Sequence, residues 1–298
     1  MPRLSVYVLA QMLGPAALFA LLMTLVVWLT QSLRLLDLVI NRGQSAATFV
    51  YLTLLILPSL LVIILPIAYF AGTLYALTKL NTDSELVVMQ SAGYSRAQLA
   101  APVMIAAGVV IVLTYICGLY LMPAGQRTMK DGTIEQTDAS GAHLSVLKFK
   151  SYIFDLDQFT GPARVTDRAT SERFLSELFW PAPSVKPSLR AAYFAEGNNR
   201  LAQPLYCIAF GLIALAVITR GRRARGAQAL RITMAVFAAA GLRIAGYGVQ
   251  GLATHHPIFC ILFYLIPFVG AVMPALMLAG FEPKELFRRR AAPQGLPA

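Results

Sequence analysis

Side chains that could carry catalysis or bind a metal ion are few and widely separated in this sequence. The three histidines, His143, His255 and His256, have no nearby acid that could orient an imidazole. The three cysteines fall inside apolar runs and lack the spacing of metal ligands. The chain also lacks the G-x-x-x-x-G-K-[ST] loop that holds nucleotide phosphates. We therefore predict no catalytic residue, no metal site and no cofactor, and we do not expect an enzyme.

The most informative short stretch is DSELVVMQSAGYSR, Asp83–Arg96, which joins two long apolar runs. Its charges disfavour a membrane crossing, yet it contains four consecutive apolar residues, LVVM. Thr82 as N-cap and Glu85 three residues later fit a capping box, and Gly93 can end a helix in the left-handed conformation. The following SRAQ repeats the box and begins the next apolar run. The pattern predicts a helix over about residues 82–93 at the membrane surface.

The apolar residues of this short helix would be exposed unless something covers them. They could lie in the lipid interface. Alternatively, another protein could dock on them. The residues alone leave both possibilities open.

The rest of the chain has the composition of a membrane protein. It is 57% hydrophobic and 13% charged, whereas soluble domains carry about 25% charged residues. Apolar runs alternate with polar connections along the chain. The cysteines lie inside the apolar runs, where we expect them to be buried. We predict an α-helical integral membrane protein with six transmembrane helices of about 20 residues or more: Leu4–Thr30, Thr48–Thr78, Gln98–Met122, Leu201–Ile218, Leu230–Leu252 and Ile258–Gly280.

The positions of lysine and arginine predict the orientation. The net charge is +11, but the basic residues lie beside apolar runs rather than on a soluble face, so nucleic acid is not an expected partner. Basic connections alternate with nearly neutral ones along the chain. The positive-inside rule then places both termini in the cytoplasm, together with the segments that contain Arg3, Lys79, Arg96, Arg220–Gly226 and Lys284–Arg290.

One long connection, residues 123–199, is expected on the outer side with its own fold. TIEQT and HLSVLKFKSYIFDL, separated by the turn-like DASG, predict a β-hairpin. SERFLSELF, Ser171–Phe179, predicts a short helix that Pro181 ends. We predict a small β-containing domain here. Residues 1–122 would form helices one to three, 200–280 helices four to six, and 281–298 a cytoplasmic tail.

Three stretches together resemble a known family. They are NRG followed by LPSLLVIILPIAYFAGTLYAL, then LNTDSELVVMQSAGYSRAQLAAPV, and later EGNNRLAQPLYCIAFGLIALA. The chain is similar to the permeases of the LptF/LptG family, which belong to the lipopolysaccharide export ABC transporter. The third stretch looks more like the F subunit than the G subunit.

The resemblance implies a permease that hydrolyses nothing itself and resides in the inner membrane of a Gram-negative bacterium. Implied partners are a second, LptG-like permease, a cytoplasmic LptB-like ATPase dimer, and lipopolysaccharide. LptC-like and LptA-like periplasmic bridge components are further partners. Family members carry a full eight-stranded jellyroll between spans three and four. Since residues 123–199 offer only about three or four strands, the domain is predicted to be shortened, which weakens the expected docking to the bridge.

The resemblance also assigns candidate site residues. The helix of residues 82–93 corresponds to the coupling helix that the ATPase binds, with Glu85, Leu86 and Met89 as contacts. For Glu85, completing the local capping box is the alternative role.

Two arginines are candidate contacts to lipid phosphates. Arg34 lies about 30 residues into span one, near the outer headgroups, although an i,i+3 pair with Asp37 is the alternative. Arg243 lies within span five, where a charge usually faces a cavity or partner; reaching outward to the headgroups is its alternative. The resemblance places spans one and five at the lateral gate for the lipid.

Other function classes remain as alternatives. A secondary transporter without an ATPase would favour a polar site at the membrane midplane, for which Arg243 is the only candidate. A lipid-handling membrane protein without an ATPase partner is the third class; an enzyme of that kind would need acids or histidines clustered near a headgroup, and these are absent from the sequence.

Overall fold

A computed structural model describes residues 2–40, 46–131, 170–181, 185, 187–219, 227–254 and 256–279. In this part of the chain, six helices are long and apolar enough to cross a membrane. The prediction of a six-span α-helical membrane protein is confirmed. The apolar helical segments are Leu4–Leu33, Phe49–Thr82, Gln98–Thr128, Leu189–Thr219, Gln228–Ala253 and Pro257–Leu278.

Spans three and four are each built from two α-helices. A π-helical turn, Ile116–Leu121, links α4 (Arg96–Tyr115) to α5 (Met122–Asp131) in span three, and a 3₁₀ turn, Gln203–Leu205, links α7 (Pro187–Ala202) to α8 (Tyr206–Thr219) in span four. Two further 3₁₀ turns, Thr170–Glu172 and Pro257–Cys260, precede α6 (Leu175–Phe179) and α10 (Ile261–Leu278). The α-helices are α1 Pro2–Ile40, α2 Ala46–Thr82, α3 Glu85–Ser91, α4 Arg96–Tyr115, α5 Met122–Asp131, α6 Leu175–Phe179, α7 Pro187–Ala202, α8 Tyr206–Thr219, α9 Ala227–Ala253 and α10 Ile261–Leu278.

Prolines inside the spans do not end the helices. Helix α1 continues through Pro15, α2 through Pro58 and Pro66, and α10 through Pro267 and Pro274. Neighbouring helices and local adjustments can satisfy the carbonyls that a proline leaves free, so a transmembrane helix tolerates it.

Helix α8 lies at the centre of the bundle. In span four, 78% of the most apolar window is buried, and α8 packs against α2, α4, α9 and α10. Gly211 on α8 leaves room for the ring of Tyr69, whose hydroxyl donates a 2.9 Å hydrogen bond to the carbonyl of Val103. Tyr69 of α2 thereby contacts both α4 and α8. Cys117, Cys207 and Cys260 are all buried, as predicted.

Helix α1 is the peripheral counterpart of α8. It packs mainly on α2, where Gly72 allows a close approach to the backbone of Ala16. Only 11% of its apolar window is buried within the chain. Large apolar side chains therefore face outward along α1, as is expected where lipid or another subunit covers a helix.

The connection between spans three and four is described only at its ends. The predicted β-hairpin lies outside the described residues, so the β-containing domain stays a prediction. Residues 170–179 contain two short helical pieces, so the single helix predicted over Ser171–Phe179 is wrong. A 3₁₀ turn ends at Glu172 and α6 begins only at Leu175, because Phe174 has an extended backbone (φ −70°, ψ 160°).

Candidate functional site

Helix α3 connects spans two and three and is seven residues long. The predicted N-cap, Thr82, is wrong, because α2 continues through Thr82 and its hydroxyl donates to the carbonyl of Thr78 at 2.9 Å. The turn is made instead by Ser84, which adopts the left-handed conformation (φ 62°) and makes no side-chain cap. Glu85 is thus the first helical residue rather than the third, and its carboxylate is not used in a capping box.

The C-terminal end of α3 follows the predicted pattern. Gly93 has φ 87°, and its N–H donates to the carbonyl of Gln90 at 3.0 Å. The N–H of Tyr94 reaches the carbonyl of Met89, also at 3.0 Å. This pair of bonds is a Schellman motif, and the burial of Tyr94 and Met89 in one cluster supplies its usual apolar contact.

The next helix begins immediately after this turn. The Ser95 hydroxyl accepts from the N–H of Gln98 at 3.1 Å, and the Gln98 side chain accepts from the N–H of Ser95 at 2.8 Å. The predicted capping box of α4 is confirmed. Since both ends of the Ser91–Ser95 turn are fixed, a displacement of α3 would be passed directly to α4.

The two faces of α3 have different environments. Leu86 and Met89 are 2% and 7% exposed and belong to the main apolar core of the bundle. Val87 and Val88 are 39% and 64% exposed. Leu86 and Met89, which were predicted to contact an ATPase, therefore pack into the bundle and leave almost none of their surface exposed. The exposed apolar surface of α3 is formed by Val87 and Val88. The sequence LVVM alone does not tell which of its four residues are exposed.

Polar side chains tie α3 to the start of α1. The Tyr7 hydroxyl donates to Glu85 Oε2 at 3.0 Å, and the hydroxyls of Ser5 and Tyr94 share a hydrogen bond of 2.9 Å. These partners are more than 70 residues apart in sequence and could not be paired from it. We call α3, the start of α1, the last turn of α2 and the start of α9 the α3 end of the bundle.

Helix α9 reaches the same end. Gln228 Nε2 at its start donates to the Thr82 hydroxyl at 3.1 Å. The last turn of α2 thus contacts both α3 and α9. A force on α3 would be shared among α1, α2, α4 and α9.

Arg243, the second candidate region, lies on α9 between two aromatic rings. Its guanidinium carbon is 4.6 Å from the ring centre of Tyr247 and 5.2 Å from that of Tyr206, and its Nη2 donates to the Tyr247 hydroxyl at 3.2 Å. The charge is held by cation–π contacts. Within the described ranges, no carboxylate forms a salt bridge with Arg243.

Gly246 makes this arrangement possible. A Cβ at Gly246 would overlap the Tyr206 hydroxyl, so a larger residue would displace the tyrosine from α9. Neither Tyr206 nor Gly246 was a predicted site residue, because their proximity depends on how α8 packs on α9. Arg34 lies within α1, but its side chain is outside the described part, and its contact with a phosphate stays a prediction, as does the alternative pair with Asp37.

The end of the bundle at which residues 170–181 lie beside α5 and α7 is called the opposite end. It contains a polar cluster around Arg200, which is only 5% exposed. Arg200 pairs with Glu196, four residues earlier on the same helix, at 2.9 Å, and its Nη1 and Nη2 donate to the carbonyls of Arg173 and Thr170 at 2.9 and 2.8 Å. Gln250 Nε2 on α9 donates to the other oxygen of Glu196 at 3.2 Å. The cluster joins the segment before α7 to the end of α9.

A second arginine, Arg127, also connects helical segments at the opposite end. Arg127 on α5 forms a salt bridge with Glu177 of α6 and donates through Nε to the carbonyl of Glu172 at 2.8 Å. Its guanidinium lies 4.1 Å from the ring centre of Phe174. Arg127 and Arg200 thus fix both short helical pieces of residues 170–179 on the ends of spans three and four.

One family model matches nearly the whole chain in two stretches. The model described as lipopolysaccharide export system permease LptF/LptG aligns with residues 6–131 and 126–280. The two matched stretches include α3, Arg34, Arg243 and Arg200.

Curated relatives match parts of the chain. An uncharacterized protein of Rickettsia prowazekii is 34% identical over 107 residues, 36% of this chain and 29% of the relative. The lipopolysaccharide export system permease protein LptG of Haemophilus influenzae is 32% identical over 154 residues, covering 51% and 42%. LptG of Escherichia coli K12 is 32% identical over 129 residues, covering 42% and 36%. The matches thus span less than half of the relatives' length and do not resolve whether the chain is more similar to LptF or to LptG.

Proposed function

Because this chain belongs to the lipopolysaccharide export system permease LptF/LptG family, we propose that it is a non-catalytic permease subunit of an ABC transporter. It would extract lipopolysaccharide from the inner membrane and pass it to a periplasmic bridge. The family membership and the six apolar helices support this role. The proposed partners are a second permease of the same family and a cytoplasmic ATPase dimer, which would supply the nucleotide hydrolysis.

We propose that α3 is the element on which the ATPase acts. The observation that carries this proposal is the division of α3 into a buried face, Leu86 and Met89, and an exposed apolar face, Val87 and Val88. The buried face and the Schellman turn hold α3 rigidly on the bundle, while the valines would enter a groove of the partner. Closure of the ATPase would then move α3 and its attached spans together. The positive-inside rule supports a cytoplasmic position for this end.

The test is co-purification from native membranes. Val88→Asp places a charge in the proposed contact and should abolish capture of the ATPase and leave the thermal stability of the permease unchanged. Val88→Leu should retain capture. Ser176→Asp, an equally charged change at an exposed site of the opposite end, is the matched control and should also retain it. Normal capture by Val88→Asp would contradict the proposal.

We also propose that Arg243 contacts a lipid phosphate or a carboxylate of the second permease. Cation–π contacts leave guanidinium N–H groups available for an anion, and no salt-bridge partner is present among the described residues. Arg243→Ala should reduce lipopolysaccharide co-purification, whereas Arg243→Lys keeps the charge but loses the bidentate geometry and should have an intermediate effect.

A further inference from the structure

An aromatic cleft at the opposite end of the bundle takes no part in the proposed coupling or phosphate contacts. It is a shallow depression of about 680 Å³ between α6, α7 and the 3₁₀ turn before α10. Apolar and aromatic residues form most of its lining, including Phe179, Trp180, Pro181, Phe194 and Pro257.

The cleft has a fixed inner wall. The Phe179 ring meets Phe194 edge to face at 5.3 Å between centroids and meets Trp180 at 6.3 Å. Gly197 lets Phe179 lie directly on α7, since a Cβ there would be 3.1 Å from the ring. Arg127 also fixes α6 through its salt bridge with Glu177. Trp180, which directly follows α6, is therefore held in place by the contacts of Phe179 and Glu177.

Two large apolar side chains, one lining the cleft and one next to it in sequence, are exposed, as is Arg190 in the lining. Trp180 and Ile258, which follows Pro257, are each 80% exposed. Exposed apolar surface costs about 25 cal/mol per Å² in water, so both side chains are more stable where an apolar phase covers them.

The length of span six places the cleft relative to a bilayer. Pro257–Leu278 has 22 residues, which at 1.5 Å per residue is about 33 Å, close to the hydrocarbon thickness of about 30 Å. Pro257 then lies at the boundary between acyl chains and headgroups. Since Pro257 lines the cleft together with Trp180, the indole lies at the depth where tryptophan is enriched in membrane proteins.

We propose that this cleft is an interfacial lipid-binding surface, into which phospholipids of the leaflet at the opposite end insert, with Trp180 and Ile258 embedded in the boundary region. The apolar body of the indole contacts acyl chains while its N–H faces the headgroups. The surface anchors α6 to the membrane independently of any ATPase or lipopolysaccharide.

The chain contains only two tryptophans, which makes the proposal measurable. Trp28→Phe leaves Trp180 as the single indole. The variant is reconstituted in phosphatidylcholine–phosphatidylglycerol vesicles whose acyl chains carry bromine near the carboxyl end or near the methyl end. We expect loss of Trp180 emission to be larger with bromine near the carboxyl end, together with emission at shorter wavelength than in the unfolded chain.

Trp180→Phe, which retains Trp28 within span one, is the matched control for incorporation into the bilayer. A second variant, Ile258→Ser in the Trp28→Phe background, should reduce the quenching of Trp180 by shallow bromine. Quenching of Trp180 by aqueous acrylamide without quenching by bromolipid would overturn the proposal, because the indole would be in water. Insensitivity to both quenchers would also overturn it, since protein would then cover the cleft. Neither outcome depends on the proposed transport function.

Discussion

At the α3 end of the bundle, a short helix is held by buried apolar side chains, whereas at the opposite end short helical pieces are held by two arginines, the buried Arg200 and the half-buried Arg127. Leu86 and Met89 insert into the core at the first; Arg200 and Arg127 bind carboxylates and backbone carbonyls at the second. Apolar contact is non-directional and allows a rigid helix to be moved as a unit. Charge-assisted hydrogen bonds fix one geometry. Under the proposed coupling role, the α3 end would transmit motion and the opposite end would resist it.

The largest effect is expected at the opposite end. Arg200→Ala should lower the free energy of unfolding by about 3–5 kcal/mol, because it leaves the largely buried Glu196 without its cation and two carbonyls without donors. Denaturation in mixed micelles measures it. Lys79→Ala, which removes an exposed cation of the α3 end, should cost much less. Equal losses would remove the contrast between the two ends.

The next effect separates the two faces of α3. Leu86→Ala should cost about 2–5 kcal/mol, since it empties a core position without weakening helix propensity. Val88→Ala should change the free energy of unfolding by about 0.5 kcal/mol or less, because its side chain is mostly exposed. The same denaturation assay compares them, and a cost at Val88 as large as that at Leu86 would contradict the division into buried and exposed faces.

A smaller effect concerns the turn that joins α3 to α4. Gly93→Ala should cost about 1–2 kcal/mol, because an L-residue is strained at φ 87° although the space around it is open. Gly14→Ala in α1, where the space is also open and the backbone is helical, is the control and should be neutral or stabilising. A neutral Gly93→Ala would show that the turn is not held in this conformation.

The smallest effect on stability is expected for Glu85, where the comparison concerns binding. Glu85→Ala should weaken co-purification of the ATPase more than it lowers the melting temperature. Tyr7→Phe removes the hydrogen bond to Glu85 but keeps the carboxylate. If Tyr7→Phe reproduces the loss of ATPase binding, Glu85 acts through its contact with α1; if it does not, the carboxylate itself contacts the partner.

Much of the α3 end could be predicted because its signals are local. Gly93 and the Ser95–Gln98 box act on residues within a few positions, so their sequence pattern determines the turn. Thr82 failed as an N-cap for a related reason: a threonine can bond back to the carbonyl four residues earlier and remain inside a helix, and the longer α2 retained it. The left-handed Ser84, which no local propensity favours, then had to form the break.

The opposite end was largely beyond prediction. Only the i,i+4 pair of Glu196 and Arg200 has a sequence spacing that indicates contact. The carbonyls that complete the binding of Arg200 are 27 and 30 residues away, and Gln250 is 54 residues from Glu196.

The sequence by itself determined six apolar helices, their polar connections and the short helix between spans two and three, because hydrophobic length and capping are properties of contiguous residues. Only the tertiary structure decided which face of α3 is free, which rings enclose Arg243 and which carbonyls Arg200 binds. In spans that are apolar all round, periodicity does not distinguish a lipid-facing side from a packed one, and that choice is made by the neighbouring helices.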